Sequence, residues 1–359
     1  MSILVTGGCG YIGIHTIYTL ITQGYDVVVL DNLTNSSIEP LQRVELMTDC
    51  NIPFYKGNVG DKKLLTEIFN KHQITAVIHF AGLKSVSESI KKPIEYYSNN
   101  VTQTLSLLES MIDNNIKSFI FSSSATVYGK PNGCPIKESH QIGNTTNPYG
   151  TSKFVVELML SDLCKAYDDL NITILRYFNP IGAHESGNIG EDSNGIPNNL
   201  FPYLTKVAIG EYSYLNVYGD DYSTYDGSGI RDYIHVVDLA EAHAKALSKN
   251  LVSTGLKTYN LGTGKGYSVF EVIETFEKTT GIKIPYRIMP RRDGDVAECW
   301  SNSLKANEEL EWKATRDLSD MVRDAWNWQM KNPHGYGNND NIHDDTLSDS
   351  KTNALKMHF

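Results

Sequence analysis

Tyr149-Gly150-Thr151-Ser152-Lys153 sets a phenol and an ammonium four residues apart. On a helix that spacing puts both side chains on one face. A nearby cation favours the phenolate and lowers the phenol pKa, so Tyr149 is expected to act as a base near neutral pH, tuned by Lys153. Ser124 closes the run Ser122-Ser123-Ser124 upstream and offers a hydroxyl to the same reacting oxygen. Taken singly these signals are weak. A Ser at that position is most often a turn cap, and Tyr-x-x-x-Lys recurs by chance. Their order behind a glycine-rich turn gives them weight, and together the parts read as a site that oxidises an alcohol carbon.

The glycine turn is Gly7-x-x-Gly10-x-x-Gly13, placed after the apolar run Ile3-Leu4-Val5 and before a helical pattern. In that context glycines allow a tight turn, close backbone approach to a pyrophosphate and close helix–strand packing. The helix N-terminus supplies amides and a dipole suited to the anion. Asp31 ends the next strand-like run, about twenty residues on, where a carboxylate accepts from an adenosine ribose hydroxyl. It would repel a 2′-phosphate, so NAD is expected rather than NADP. The competing reading of Asp31 is a turn cap, since Asn32 and Thr34 follow.

These residues need a frame. Strand-like runs at Ile3-Val5, Val27-Leu30, Ala76-Phe80, Phe119-Phe121 and Ile172-Leu175 alternate with helical patterns at Ile12-Ile21, Leu64-Phe69 and Val101-Met111. Such alternation implies right-handed crossovers and a parallel sheet. The expected fold is α/β: a doubly wound parallel Rossmann sheet over residues 1–178 with a smaller C-terminal α/β substrate lobe over 179–337. A segment near 233–248 is expected to return to the first domain. Residues 338–359 are polar and read as a disordered tail. There is no internal repeat.

The chain has 359 residues, 40% apolar and 21% charged, as in a globular protein. A net charge of -10 disfavours nucleic acid or an anionic membrane as partner. Cys9, Cys50, Cys134, Cys164 and Cys299 are scattered, with no C-x-x-C pair. Neither a disulfide framework nor a metal site is expected, and a reducing compartment fits. With no signal-peptide pattern before Ile3 and no apolar run long enough to span a bilayer, the expected location is the cytosol.

Longer motifs identify a family. They are His79-Phe80-Ala81-Gly82-Leu83-Lys84, Ser122-Ser123-Ser124-Ala125-Thr126-Val127-Tyr128-Gly129, Leu175-Arg176-Tyr177-Phe178-Asn179-Pro180, Gly195-Ile196-Pro197-Asn198-Asn199-Leu200, Arg231-Asp232-Tyr233-Ile234-His235-Val236 and Tyr259-Asn260-Leu261-Gly262. From Ser2 to about Gly337 the chain resembles the extended short-chain dehydrogenase/reductases, and within them the UDP-glucose 4-epimerase family. The resemblance implies that Tyr149 takes the proton of the sugar 4-hydroxyl while NAD+ takes the C4 hydride. Lys153 tunes Tyr149 and holds the nicotinamide ribose, and Ser124 hydrogen-bonds the reacting oxygen. The 4-keto sugar then turns its other face, and hydride returns to invert C4. Net redox is zero, which implies tightly retained NAD.

The resemblance also assigns Gly7, Gly10, Tyr11, Ile12, Gly13, Asp31, Asn32, Asn35, Ser36, Asn58, Val59, Phe80, Ala81, Gly82, Lys84, Asn99 and Phe178 to the cofactor, with Ser124, Tyr149 and Lys153. It assigns Lys84, Asn179, Asn199, Leu200, Asn216, Tyr218, Arg231, Arg292, Asp295 and Cys299 to the nucleotide sugar, again with Ser124 and Tyr149. On spacing alone Arg231 and Arg292 are more readily ordinary surface arginines; the resemblance turns them into diphosphate clamps. A homodimer through helices near Asn99-Met111 and Phe154-Leu163 is implied as well.

Asn58 stands where many relatives carry Asp facing the adenine amino group; its carbonyl still accepts, without charge. Cys299 stands where the family alternates between Tyr and a small residue, which leaves room for an N-acetyl group and predicts turnover of UDP-GlcNAc and UDP-GalNAc. The competing reading is a buried Cys acting as a small hydrophobe. His79 and His235 are expected to be packed groups, and the tyrosines of 212–225 packing residues. Three rivals remain: a nucleotide-sugar 4,6-dehydratase or decarboxylase, disfavoured because Ala125 and Thr126 are not acidic; a ketoreductase, disfavoured by Asp31; and a non-enzymatic NAD sensor, disfavoured by the intact Ser124, Tyr149 and Lys153.

Overall fold

The computed structural model describes residues 1–192, 197, 199–292 and 294–337. Its frame is a seven-stranded sheet. In chain order the first six strands are β1 (Ser2–Thr6), β2 (Asp26–Asp31), β3 (Phe54–Lys56), β4 (Ile74–His79), β5 (Ser118–Ser124) and β6 (Asn171–Tyr177). The strand Gly255–Leu261 lies beside β6, and the spatial order runs on through β5, β4, β1 and β2 to β3. Every pairing is parallel. The central strands are short and buried on both faces, as a sheet covered by helices requires.

Side chains alternate between two cores, because successive strand residues point to opposite faces. Ile3, Val5, Ile78 and Ile120 join Ile14, Ile17 and Leu239 on one side. Leu4, Val77, Phe119 and Phe121 join Leu65, Leu107, Val156 and Leu160 on the other. The order reverses between β1 and β4, so a crevice opens there at the carboxyl ends of the strands, where ligands of open α/β sheets bind. The glycine turn leaves β1 into this crevice, Phe80–Lys84 follows β4, and Ser124 ends β5.

The helix Val236–Asn250 packs against the helix Tyr11–Thr22 and against β5 and β6. The seventh strand that follows it did not stand out in the sequence, because Lys257, Thr258 and Asn260 break its apolar run. The smaller lobe gathers the helices Leu200–Ala208, Val269–Thr280 and Leu318–Lys331 around Phe201, Leu204, Val272, Phe276 and Met321. Capping boxes at Ser268/Glu271 and Asp317/Asp320 start the latter two helices. Three small sheets accompany it among the described residues: Asn179–Ile181 pairs with Tyr233–His235, and two more lie within the lobe. One joins Tyr267–Ser268, Ile230–Arg231 and Glu298–Cys299; the other joins Tyr286–Met289 and Leu215–Tyr218. Among the described residues no helix is long and apolar enough to cross a membrane. The tail 338–359 and Gly195, Ile196 and Asn198 lie outside the described residues.

Candidate active site

The three glycines of the first turn differ in what demands them. Gly7 has φ +69°, and a Cβ there would lie 2.6 Å from the Ala81 backbone nitrogen. A Cβ on Gly13 would lie 2.5 Å from the Gly7 carbonyl oxygen. Both are required by packing. Gly10 has an ordinary φ of -76°, and the one atom crowding a Cβ there is the Gly7 oxygen at 3.3 Å. Protein packing is therefore looser at Gly10 than at Gly7 or Gly13, though the Gly7 oxygen would have to give by a few tenths of an ångström, and the room a side chain would take lies at the start of the helix Tyr11–Thr22. That helix has no side-chain cap, so its first amides and dipole suit a pyrophosphate. Gly10 and Tyr11 share the recess with Asn35 and Ser36. These features fit a dinucleotide.

Asp31 caps the turn, as the second of its two readings foresees. Its Oδ2 accepts from Cys9 N at 3.0 Å, and its Oδ1 from Leu33 N at 2.8 Å and Ser36 Oγ at 3.0 Å. The carboxylate thus locks the glycine turn to the loop after β2, and stands where a ribose would reach it. Asn32 donates to Asn58 Oδ1 at 2.7 Å. Ile12 packs on the sheet core and Val59 is buried, while Phe80 N and Ala81 N both bond Thr6 O. Asn99 sits on a single π-helical turn, Ser98–Thr102, a feature common at functional sites. Its neighbour Asn100 turns inward and holds Leu83 N at 2.8 Å and Ser152 Oγ at 3.0 Å.

Ser124 caps the short 3-10 turn Ala125–Tyr128. Its oxygen accepts from Thr126 N at 3.2 Å and from Thr126 Oγ1 at 3.0 Å. With both acceptor positions filled, its proton is left to donate, and the Tyr149 phenol, whose pKa burial raises and Ser124 lowers, is the partner within its influence. Tyr149 lies in the first turn of the helix Pro148–Ala166, whose cap Asn147 accepts from Gly150 N at 2.9 Å. Lys153, one turn on and 6% exposed, donates from Nζ to Ser122 O at 2.8 Å. Its ammonium rests 4.8 Å from the Phe121 ring centroid. Ser122 Oγ and Tyr177 OH are hydrogen-bonded beneath.

The electrostatics depart from the sequence expectation. Burial raises the Tyr149 pKa, opposed by Ser124; in the chain alone the Lys153 ammonium, bonded to the Ser122 carbonyl, is not among the groups that offset it. Burial in turn lowers Lys153 to about 8, with Glu157 pulling the other way. In the chain alone, desolvation outweighs the cation effect at the phenol.

Glu157 was not foreseen. It continues the face of Tyr149 and Lys153 at the next turn, a spacing that could have disclosed it. Its carboxylate accepts from Ser123 Oγ at 2.5 Å and from Arg176 at 2.6, 3.0 and 3.2 Å. Arg176 also donates to Tyr128 OH at 2.9 Å, which donates to Asn260 Oδ1 at 2.7 Å. This buried network ties the end of β5, the catalytic helix and β6 together. The histidines are packed, as expected. His79 bonds Thr6 Oγ1 at 2.7 Å and Thr104 Oγ1 at 2.9 Å, and burial lowers its pKa to about 3. His235 caps its helix and pairs with Asp324 at 3.2 Å. The tyrosines of 212–225 are mixed: Tyr222 is buried, whereas Tyr225 is 66% exposed.

Across the crevice Arg292 Nε donates to Asp295 Oδ2 at 2.8 Å, and Arg231 Nη2 stands 3.8 Å from Asp295 Oδ1. One carboxylate thus gathers two guanidinium forks suited to phosphate oxygens. Arg292 lies 4.9 Å from the Tyr218 ring centroid, and Asn216 Oδ1 accepts from Arg287 at 2.7 Å. A Cβ on Gly294 would sit 3.7 Å from Thr146, so this loop abuts the start of the catalytic helix. Cys299 pairs in register with Arg231 and packs with Phe178 and Val127; burial pushes its thiol up to about 12. Asn179 begins a short strand beside Tyr233. Asn199 precedes the helix begun by Leu200 without capping it through its side chain. Lys84 reaches Glu191 at 3.4 Å. Among the described residues no side-chain group could hold a metal ion, and the five cysteines are free.

A family model described as GDP-mannose 4,6 dehydratase matches residues 4–325. The chain is 57% identical over 336 residues to a UDP-glucose 4-epimerase of Pasteurella multocida, covering 94% of this chain and 99% of that one. It is 59% identical over 336 residues to one of Yersinia enterocolitica, with the same coverage. Among solved structures, the UDP-glucose 4-epimerase of Bifidobacterium longum in complex with NAD+ and UDP superposes with a TM-score of 0.90 at 53% identity, covering 93% of this chain and all of that one.

Proposed function

Since this chain belongs to the UDP-glucose 4-epimerase family of extended short-chain dehydrogenase/reductases, we propose a division of labour among its own residues. The enzyme is an isomerase that interconverts UDP-glucose and UDP-galactose with NAD. When bound, NAD supplies the acceptor for the hydrogen of sugar C4 and then returns it. The glycine turn and Asp31 hold the cofactor. Tyr149 exchanges a proton with the 4-oxygen, Ser124 donates a hydrogen bond to that oxygen, and Lys153 supplies the charge that makes a phenolate accessible. Arg231 and Arg292, preset by Asp295, take the diphosphate and leave the sugar free to present either face. Asn179, Asn199, Leu200, Asn216 and Tyr218 complete the nucleotide side. Cys299, small and beside Arg231, makes room at the sugar 2-position, which extends the substrates to UDP-GlcNAc and UDP-GalNAc.

The observation that carries this reading is a Ser124 hydroxyl whose acceptor positions are filled by Thr126, leaving its proton free to donate beside Tyr149, behind a glycine turn at an uncapped helix N-terminus. A homodimer is part of the proposal, supported by Leu105 at 44% and Leu158 at 48% exposure on helices beside the site. So is a reducing cytosolic location, which suits five free cysteines. The deciding experiment is turnover of UDP-galactose by purified protein without added NAD. UDP-glucose is the expected product. No product even with NAD supplied sinks the reading.

A further inference from the structure

The recess at the glycine turn has a second wall that the cofactor motifs do not include. Gly190, Asp192 and Tyr336 line it opposite Gly10, Tyr11, Asn35 and Ser36. Tyr336 comes from the segment after the last helix, some three hundred residues from the turn it faces. It is held in place from several sides. Tyr336 N donates to Asp192 Oδ2 at 2.8 Å, its hydroxyl accepts from Gly190 N at 2.9 Å, and the same hydroxyl donates to Gly190 O at 3.2 Å. Gly335 carries no side chain for a reason, since a Cβ would lie 2.3 Å from the Asp192 carboxylate.

The clamp on this segment comes from the sheet lobe. Arg43 lies on the helix Glu39–Thr48, just after the loop carrying Asn35 and Ser36. Its guanidinium sits 5.0 Å from the Tyr336 ring centroid, and donates to Asn332 Oδ1 at 2.7 Å and Asn188 O at 3.0 Å. Glu39 steadies it through Nε at 2.9 Å. One side chain of the cofactor lobe therefore fastens the C-terminal segment and the loop around Gly190.

We infer that residues 332–337, clamped by Arg43, form a strap across the recess at the glycine turn and slow the escape of bound NAD. The inference rests on the epimerase reading. A reaction with no net redox has no need to exchange its cofactor, and each lost molecule stops the cycle. The strap meets that demand with contacts remote from the reacting carbon. Asp192, the carboxylate in this wall, is engaged by the strap backbone through Tyr336 N, so its part is to hold the strap.

The test measures exchange of bound NAD for deuterated NAD by mass spectrometry of the released cofactor, on purified full-length chains, with the melting temperature of each NAD-free protein alongside. Tyr336→Ala and Arg43→Gln are expected to exchange at least tenfold faster than the unaltered chain. A chain ended after Gly337 is expected to exchange at the unaltered rate, and one ended after Asn332 as fast as Tyr336→Ala. If Tyr336→Ala fails to fold, Tyr336→Phe, which keeps the ring and loses both Gly190 bonds, takes its place and is expected to exchange severalfold faster. Unaltered exchange in Arg43→Gln and the Tyr336 variant overturns the strap, even where their melting temperatures fall. An unaltered chain that purifies without NAD and exchanges supplied NAD freely overturns the strap alone, because the epimerase reading stands or falls on turnover with NAD supplied.

Discussion

Glu157→Gln separates the architecture of the site from its charge. Glu157 and Arg176 are 4% and 5% exposed. Gln keeps the shape and one carbonyl acceptor, but leaves the Arg176 guanidinium buried without its counter-charge. Breaking such a pair from one side costs about 3–5 kcal/mol. For a chain of this size that is a fall in melting temperature of roughly 4–7 °C. The second effect falls on Lys153. Facing it are Tyr149 and Glu157 from its own helix, His79 from β4 (neutral, since burial lowers its pKa to about 3), the Ser122 carbonyl and Phe121 ring from β5, and Arg176 from β6. Burial lowers Lys153 to about 8, and Glu157 is the charge that resists.

Without Glu157 the Lys153 pKa falls further, and the uncompensated Arg176 pushes the same way. Side chains one helical turn apart stand roughly 5–6 Å apart at Cβ; two charges at about that separation and an effective dielectric of about 20 interact by roughly 3 kcal/mol, and sharing with Arg176 reduces this to an expected displacement of about one pH unit. The sign follows from the role of the ammonium. Tyr149 becomes a base only while Lys153 is charged, so the alkaline limb of kcat/KM for UDP-galactose reports Lys153 losing its proton. In Glu157→Gln that limb moves about one unit toward acid, with KM nearly unchanged. The assay is initial rates from about pH 6 to 9.5 on protein confirmed as folded. A lower melting temperature with an unmoved limb would show the pair to be scaffolding alone and refute the electrostatic argument.

Three further outcomes are expected. Gly7→Ala should prevent folding, since its Cβ meets backbone and φ is +69°, whereas Gly10→Ala should fold and lose NAD; equal NAD content in Gly10→Ala and the unaltered chain, read by absorbance after denaturation, would contradict the turn's role. Arg292→Met should raise KM for UDP-galactose tenfold or more and leave NAD content alone; an unchanged KM places the diphosphate elsewhere. Cys299→Tyr should abolish turnover of UDP-GalNAc and spare UDP-galactose, and equal loss on both would remove Cys299 from specificity.

The sequence disclosed what depends on local pattern. The glycine turn, the strand ends at Asp31 and Ser124, and the Tyr149–Lys153 face all follow from spacing within one or two elements, and the structure brings them to one crevice. It did not disclose what depends on contacts between distant segments. Arg43 and Tyr336 meet across 293 residues; as letters they are an ordinary surface arginine and a tyrosine before a polar tail. The strand Gly255–Leu261 draws its identity from β6, to which it pairs along its whole length, rather than from its own mixed composition. The phenol–ammonium argument is incomplete for a related reason. Spacing places two groups on one face, but which acceptor the ammonium prefers depends on the Ser122 carbonyl, which comes from another strand.

The family model spanning residues 4–325 carries the name of a dehydratase, and the sheet, the glycine turn and the Tyr149–Lys153 pair serve elimination and epimerisation alike. The difference must lie beside Ser124. A 4,6-dehydration, after oxidation at carbon 4, has to expel a hydroxyl from carbon 6, and that departure calls for a proton donor within reach. Ala125 has none to give. The Thr126 hydroxyl donates to Ser124 Oγ at 3.0 Å, so its proton is engaged. Because Thr126 also fills the second acceptor position of that oxygen through its backbone, the Ser124 proton is turned toward the Tyr149 phenol. The same two residues that deny the site an acid for elimination thus aim Ser124 at the oxygen on carbon 4. With proton exchange confined to that one oxygen, a hydrogen removed from carbon 4 has carbon 4 as its place of return, and the face it returns to becomes the only outcome the enzyme can vary.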